Sequence, residues 1–273
     1  MKLPATRRGF FCLRRPGATD AYAHLGVGRC LSHARFVASG CFGESMRLSP
    51  ALVATLLISM AIAAVAPFDV AFAAATFGSP ALRVVLIAAL ALIGAFSANH
   101  IGLQLIGHNA RWTSLIGAVA AVSVAIYVVA IDCLVFRSVL PASYVHVLQT
   151  MPLRDRLLYY MPRAFNENVI YRLFVFSTAI YLCSLLKRVN APNLGPVLVW
   201  GAMIATQALN IGMNVTALSP DPSSPILLLY DALRYVVPGV VWAWLYWRFG
   251  FMTAEVASVG CHIFLQPALG ALI

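Results

Sequence analysis

Residues 112–131 read WTSLIGAVAAVSVAIYVVAI, a run of 20 residues without a charged side chain. A helix needs about 20 apolar residues to cross the hydrocarbon of a bilayer. The run lacks the apolar–polar alternation of membrane-barrel strands, and backbone groups in lipid must be paired within the chain. It therefore predicts a transmembrane helix.

Six more apolar runs surround this one, and together they predict seven spans. The spans are roughly 51–75, 83–107, 113–138, 165–186, 196–217, 226–247 and 251–273. Over the chain, 61% of residues are hydrophobic and 10% are charged. A soluble domain has about 25% charged residues, and a disordered chain has low hydrophobicity, so both classes are excluded. We expect an all-α polytopic transmembrane bundle of seven to eight helices.

The N-terminal region differs from the rest. Residues 1–49 hold eight Lys or Arg and two acids, and so carry most of the chain's net charge of +10. This basic tail is interpreted either as disordered or as an over-extended start that precedes Met46. Cationic flanks of a first membrane helix stay cytoplasmic, so we expect a cytoplasmic N terminus and no nucleic-acid partner.

Charge also predicts the topology of the remaining loops. With the N terminus inside, the cytoplasmic side receives Arg111, Lys187, Arg188 and Arg248, and the loop 217–225, which has no Lys or Arg, lies outside. The segment 137–163 fits less well because it carries four arginines on the outer side. Residues 153–160, between Pro152 and Pro162, are interpreted as an amphipathic interfacial helix, and an eighth, partial span could lie in this segment.

Ionisable residues inside the apolar runs are few, and in lipid they are costly enough to indicate function. The richest cluster contains Glu167, Asn168 and Arg172. On an α-helix Asn168 and Arg172 stack one turn apart, with Glu167 beside their face. Glu167 could act as a general base on water, or form a buried pair with Arg172 that locks helix packing. The other such residues are Asp69, His100, Asp132, Asp231, Arg234, Glu255 and His262.

The order of motifs over 150–273 resembles that of the CPBP family, the CAAX-protease and bacteriocin-processing intramembrane endopeptidases, also called Abi. Glu167-Asn168-x-x-x-Arg172 is similar to the family's Glu-Glu-x-x-x-Arg. The second motif, Phe-x-x-x-His, falls where this chain has Asn210-Ile-Gly-Met-Asn214. The third, His-x-x-x-Asn or His-x-x-x-Asp, falls near His262-Ile-Phe-Leu-Gln266.

The chain departs from each motif. Asn168 replaces the second Glu, and Asn214, or Asn210 in another register, replaces the second-motif His. The third motif has two registers: either His262 is the family His with Gln266 for Asn, or Ser258 replaces the His and His262 fills the Asn position. Both place His262 on the active face, because four residues make about one helical turn.

The resemblance implies hydrolysis of a peptide bond within the bilayer. Glu167 would activate water, and His262, with Asn214 or Gln266, would stabilise the oxyanion. Arg172 would hold the Glu helix and balance charge, using Glu167, Asp231 or Glu255 as partner, or facing water. The substrate would be a membrane-embedded or prenylated peptide, and the location the bacterial inner (plasma) membrane.

We expect no cofactor. Zinc takes three or four His, Cys or carboxylate ligands, and the predicted site contains only two such residues, His262 and Glu167. The resemblance divides the chain into the tail at 1–49, peripheral transmembrane helices at 50–140 and a CPBP-like catalytic bundle at 141–273.

Two other functions stay open. One is an inactive CPBP-like scaffold or immunity protein, because several motif positions lack an ionisable group. The other is a small transporter subunit that uses Asp132, Asp231 and Glu255 as a polar path.

Overall fold

The computed structural model describes residues 49–65, 79–214 and 224–273. These residues are mostly helical and contain no strand, which confirms the all-α class. The main helices are α1 (Pro50–Val65), α2 (Pro80–His100), α3 (Ala110–Val135), α4 (Ala142–Thr150), α5 (Leu153–Lys187), α6 (Pro196–Asn214), α7 (Pro225–Phe249) and α8 (Phe251–Leu272). Residues 1–48 of the basic tail, Asp69 and most of the loop 217–225 lie outside the described residues.

Six of the described helices, α2, α3, α5, α6, α7 and α8, are long and apolar enough to cross a membrane. They match six of the seven predicted spans and support an integral membrane protein. The seventh prediction corresponds to α1, which is apolar and has 16 residues up to Val65. The long apolar runs therefore predicted the positions of these helices correctly.

The helix α5 begins earlier than predicted. We expected an interfacial helix over 153–160 and a separate span over 165–186. Instead one helix runs from Leu153 to Lys187, with Pro162 inside it and Arg156 buried. The separate interfacial helix was a wrong prediction, because a proline inside a helix removes one backbone hydrogen bond and can bend the helix without ending it.

Three of the spanning helices contain π-helical turns. These are Ile131–Val135 in α3, Val169–Phe176 in α5 and Ala232–Val236 in α7. A π-helix bonds residue i to i+5, so it rotates the faces beyond it, and such turns are frequent at functional sites. In this chain the three π-turns carry Asp132, Arg172 and Arg234, all of them buried.

The last helix, α8, lies centrally in the bundle and packs along both α3 and α5. Gly250 separates it from α7 with a φ of 97°, a left-handed conformation that favours glycine. The first amides of α8 are satisfied by the loop after α2: Phe251 N–H donates to the carbonyl of Gln104 at 3.0 Å, and Met252 N–H donates to that of Leu105 at 2.9 Å. These bonds fix the start of the helix that carries His262.

Candidate active site

A cavity of about 830 Å³ lies among helices α3 to α8. It brings together five of the seven predicted site residues: Glu167 and Arg172 from α5, Asn210 from α6, and His262 and Gln266 from α8. Residues about 100 positions apart in the chain thus line the same cavity.

The other two predicted residues differ from this pattern. Asn168 does not line the cavity but is buried behind it, toward α8. Asn214 is the last residue of α6, and its side chain lies outside the described part of the structure. Of the two registers for the second motif, the one with Asn210 thus has a side chain that lines the cavity.

Helix α3 also contributes to the cavity wall. Val124 and Val128 line it, although we expected the whole segment 50–140 to be peripheral. The apolar wall continues through Val139 and Leu140, which come after α3. Apolar side chains of α3 and of the loop after it thus line the same cavity as the polar residues of α5, α6 and α8.

Glu167 is paired with Arg163, one turn earlier on α5. Arg163 Nε donates to Glu167 Oε1 at 2.9 Å, and the two side chains are 27% and 30% exposed. Arg163 also donates to the hydroxyl of Tyr159 at 3.0 Å. Arg172, which we considered as the cation for Glu167, forms no ion pair with it among the described residues. Glu167 is thus a partly accessible carboxylate on the wall of a cavity inside an apolar bundle.

Arg172 has neutral partners. Its Nη2 donates to Oε1 of Gln207 and, at 3.4 Å, to the carbonyl of Gly239. Gln207 in turn donates to the carbonyl of Tyr235 at 3.1 Å. A Cβ at position 239 would overlap the Gln207 amide, so a larger residue there would displace this amide from Arg172. Among the described residues, the hydrogen-bond acceptors of Arg172 are thus amide and backbone oxygens of α6 and α7, and not the carboxylates that we considered.

Asn168 joins two helices. Its Nδ2 donates to Glu255 Oε2 at 3.2 Å, and both side chains are buried. The bond connects the Glu167 turn of α5 to the second turn of α8, two turns before His262. Asn168 therefore has a helix-joining role rather than a place on the cavity wall.

The cavity face of α8 carries Ser258, His262 and Gln266, spaced one turn apart. The ring of His262 stacks on Tyr160 at 5.6 Å between centroids, with 12° between the planes. His262 Nδ1 and Gln266 Oε1 are buried and have no hydrogen-bond partner within the described parts of the chain. Both registers of the third motif thus place their side chains on the cavity wall, and Tyr160 fixes the plane of the imidazole.

A second polar centre lies beside the same cavity and was not predicted. Arg234 Nε and Asp132 Oδ1 form an ion pair at 2.9 Å, and the Asp132 side chain is fully buried. Tyr144 donates to Asp132 Oδ2 at 3.0 Å and Tyr230 donates to Oδ1 at 3.2 Å. Sequence analysis singled out both charged residues, but no spacing rule links positions so far apart.

Tyrosines complete this centre around Arg234. Its Nη2 donates to the Tyr144 hydroxyl at 2.9 Å, and its guanidinium lies 5.4 Å and 5.0 Å from the ring centroids of Tyr144 and Tyr235. Burial raises the pKa of the Tyr144 phenol, so this group stays a neutral donor to Asp132 at ordinary pH. The cation is thereby held by one carboxylate and two aromatic faces.

The transporter hypothesis required three acids along one path. Asp231 lines the cavity, whereas Asp132 is held behind its wall by Arg234 and Glu255 by Asn168. Of these three acids, Asp231 is thus the one that lines the cavity.

Within the described ranges, no group of three or more His, Cys, Asp or Glu side chains could hold a metal ion. No family model, curated protein or solved structure matches the chain. A function for this protein is therefore inferred from the geometry of its cavity.

Proposed function

We propose that this membrane protein hydrolyses peptide bonds inside the bilayer, in the cavity that Glu167 lines. The observation that carries the proposal is the convergence of one partly exposed carboxylate with His262, Asn210 and Gln266 on the wall of a single cavity. A cavity of about 830 Å³ is within the usual size of a small-ligand site, and its apolar lining residues suit the side chains of a membrane-embedded peptide.

The reaction needs only groups of this chain and water. Glu167 accepts a proton from water as the water oxygen attacks the carbonyl carbon. The oxyanion receives hydrogen bonds from His262 and from the side-chain amides of Gln266 or Asn210. Collapse of the intermediate breaks the C–N bond, and the proton held by Glu167 passes to the leaving amine. A carboxylic acid and an amine result, the acid loses its proton to the amine or to water, and Glu167 returns to its starting state.

The test is cleavage of membrane-embedded peptide reporters by the purified protein in liposomes. Glu167→Gln and His262→Ala should abolish cleavage, while Asp155→Asn, an exposed acid at the start of the same helix, should leave it unchanged. A chelator arm determines whether a metal takes part. Cleavage that persists in Glu167→Gln would contradict the proposal.

A second candidate is a scaffold that binds membrane helices without cutting them. The Arg163–Glu167 ion pair favours it, because one oxygen of the carboxylate is already occupied by Arg163 Nε at 2.9 Å rather than by water. A photo-crosslinker placed at Leu265 in the cavity wall distinguishes the two functions. The scaffold predicts equal peptide capture by wild type and Glu167→Gln with no cleavage by either, whereas the peptidase predicts cleavage by wild type and capture without cleavage by the variant.

A further inference from the structure

Glu255 is a buried carboxyl that the proposed hydrolysis does not use. Glu255 lies in the second turn of α8 and is 3% exposed. Glu255 forms no ion pair with any residue that the structure describes. A charged carboxylate in such a place has a large desolvation cost unless a cation or several donors surround it.

Two buried oxygens, one on Glu255 and one on Asn168, lack a hydrogen-bond donor in the part of the chain that the structure describes. Asn168 Nδ2 donates to Glu255 Oε2 at 3.2 Å. Glu255 Oε1 and Asn168 Oδ1 are both buried and have no partner among the residues that the structure describes. Turning the amide over would change which Asn168 atom faces the carboxyl, but two acceptors would still lack a donor.

The nearest cation does not fill this role. Arg172 is close enough for its charge to interact with those of Glu255 and Glu167, but its Nη2 donates to Gln207 and Gly239. The helices packed against α8 are α3, α4, α5 and α7. Where α3 meets this part of α8 it presents Gly117, against Thr253 and Val256. None of the remaining charged or titratable groups described on these four helices forms an ion pair with Glu255. Apart from the tyrosines and the groups already discussed, they are Arg111, Cys133, His146, Arg154, Asp155, Arg156, Cys183, Lys187 and Arg248.

We propose that Glu255 holds a proton and forms a two-bond acid–amide pair with Asn168. The O–H on Glu255 donates to Asn168 Oδ1, while Asn168 Nδ2 donates to Glu255 Oε2. One proton then satisfies both unpaired oxygens and removes the buried negative charge. The pair is a neutral double hydrogen bond that joins α5 to α8, and it does not depend on the proposed hydrolysis.

The direct test is infrared spectroscopy of the full chain in liposomes at neutral pH. The wild-type spectrum should contain the C=O stretch of a protonated, buried carboxyl, and Glu255→Gln should lack it. The matched control Asp155→Asn should keep the band. The proposal would be overturned if the wild-type spectrum has no protonated-carboxyl band, or if Glu255→Gln leaves that band unchanged.

Thermal unfolding provides the second measurement. Glu255→Gln should keep Tm within about 2 °C of wild type, because its amide offers the same donor and acceptor to Asn168. Glu255→Leu should lower Tm by roughly 3–10 °C, because Asn168 is then left without a partner. A Glu255→Gln variant that fails to fold, or falls as far as Glu255→Leu, would also overturn the proposal.

Discussion

Removing the carboxylate of Asp132 should destabilise the bundle more than any surface change. The side chain has no exposed area, forms an ion pair with Arg234 at 2.9 Å, and accepts hydrogen bonds from Tyr144 at 3.0 Å and Tyr230 at 3.2 Å. Asp132→Ala leaves the Arg234 charge buried without its counter-ion. Breaking one partner of a buried pair costs about 3–5 kcal/mol. For a chain of this size, about 2–4 °C of Tm is lost per kcal/mol, so Tm should fall by roughly 6–20 °C.

Thermal unfolding monitored by circular dichroism in detergent micelles measures this change. The comparison variant is Arg163→Ala, whose ion pair with Glu167 is 27% and 30% exposed and so should contribute less than about 1 kcal/mol. The double variant Asp132→Ala/Arg234→Met should recover part of the loss, because it removes the unpaired charge as well. An Asp132→Ala shift no larger than that of Arg163→Ala would refute the reasoning that this ion pair is buried.

Two further predictions concern the surroundings of the cavity. Gly239→Ala should lower Tm by several degrees, because its Cβ would push the Gln207 amide away from Arg172 and from the carbonyl of Tyr235. Gly201→Ala, whose Cβ would meet no atom within 4 Å, should be neutral or stabilising, and equal effects of the two changes would contradict the argument. Tyr144→Phe should make stability less sensitive to alkali. Folding raises the Tyr144 pKa above its ordinary value of 10.0, so its contribution is present below about pH 10 and is lost as pH rises further. Unfolding at about pH 8 and about pH 11 tests this, and an unchanged alkaline loss in the variant would rule it out.

Length and hydropathy were enough to predict the helices, because a bilayer leaves a long apolar run few alternatives to a helix. The boundaries of α5 were predicted less well. Pro152 and Pro162 suggested breaks on both sides of a short helix, but only Pro152 lies at an end, and Pro162 lies inside. The same error hid the Arg163–Glu167 pair, because its two residues were assigned to different elements although their spacing of four is a recognised signal.

The site residues were predicted in part. Glu167, Arg172, Asn210, His262 and Gln266 do share a cavity. Asn168 was expected on the same face as Arg172, which holds for an α-helix. In the structure Arg172 lines the cavity from the π-turn Val169–Phe176, whereas Asn168, just before that turn, is bonded to Glu255 of α8. No residue pattern in a single sequence indicates that turn.

The long-range pairs could not be predicted from one sequence. The Asp132–Arg234 and Asn168–Glu255 contacts join helices that lie far apart in the chain. Burial of a charged side chain indicates that it needs a partner, but the sequence offers several arginines and amides that could equally well be that partner. Only the packing of α3, α5, α7 and α8 decides among them.

The rate at which Glu167→Gln cleaves a membrane-embedded reporter, relative to Asp155→Asn in the same liposomes, tests the central claim most directly. If Glu167 is the general base in the cavity, Glu167→Gln should cleave about 10²–10⁴ times more slowly than Asp155→Asn, with both proteins equally folded. Equal rates for the two variants would contradict the assignment of Glu167 as the base.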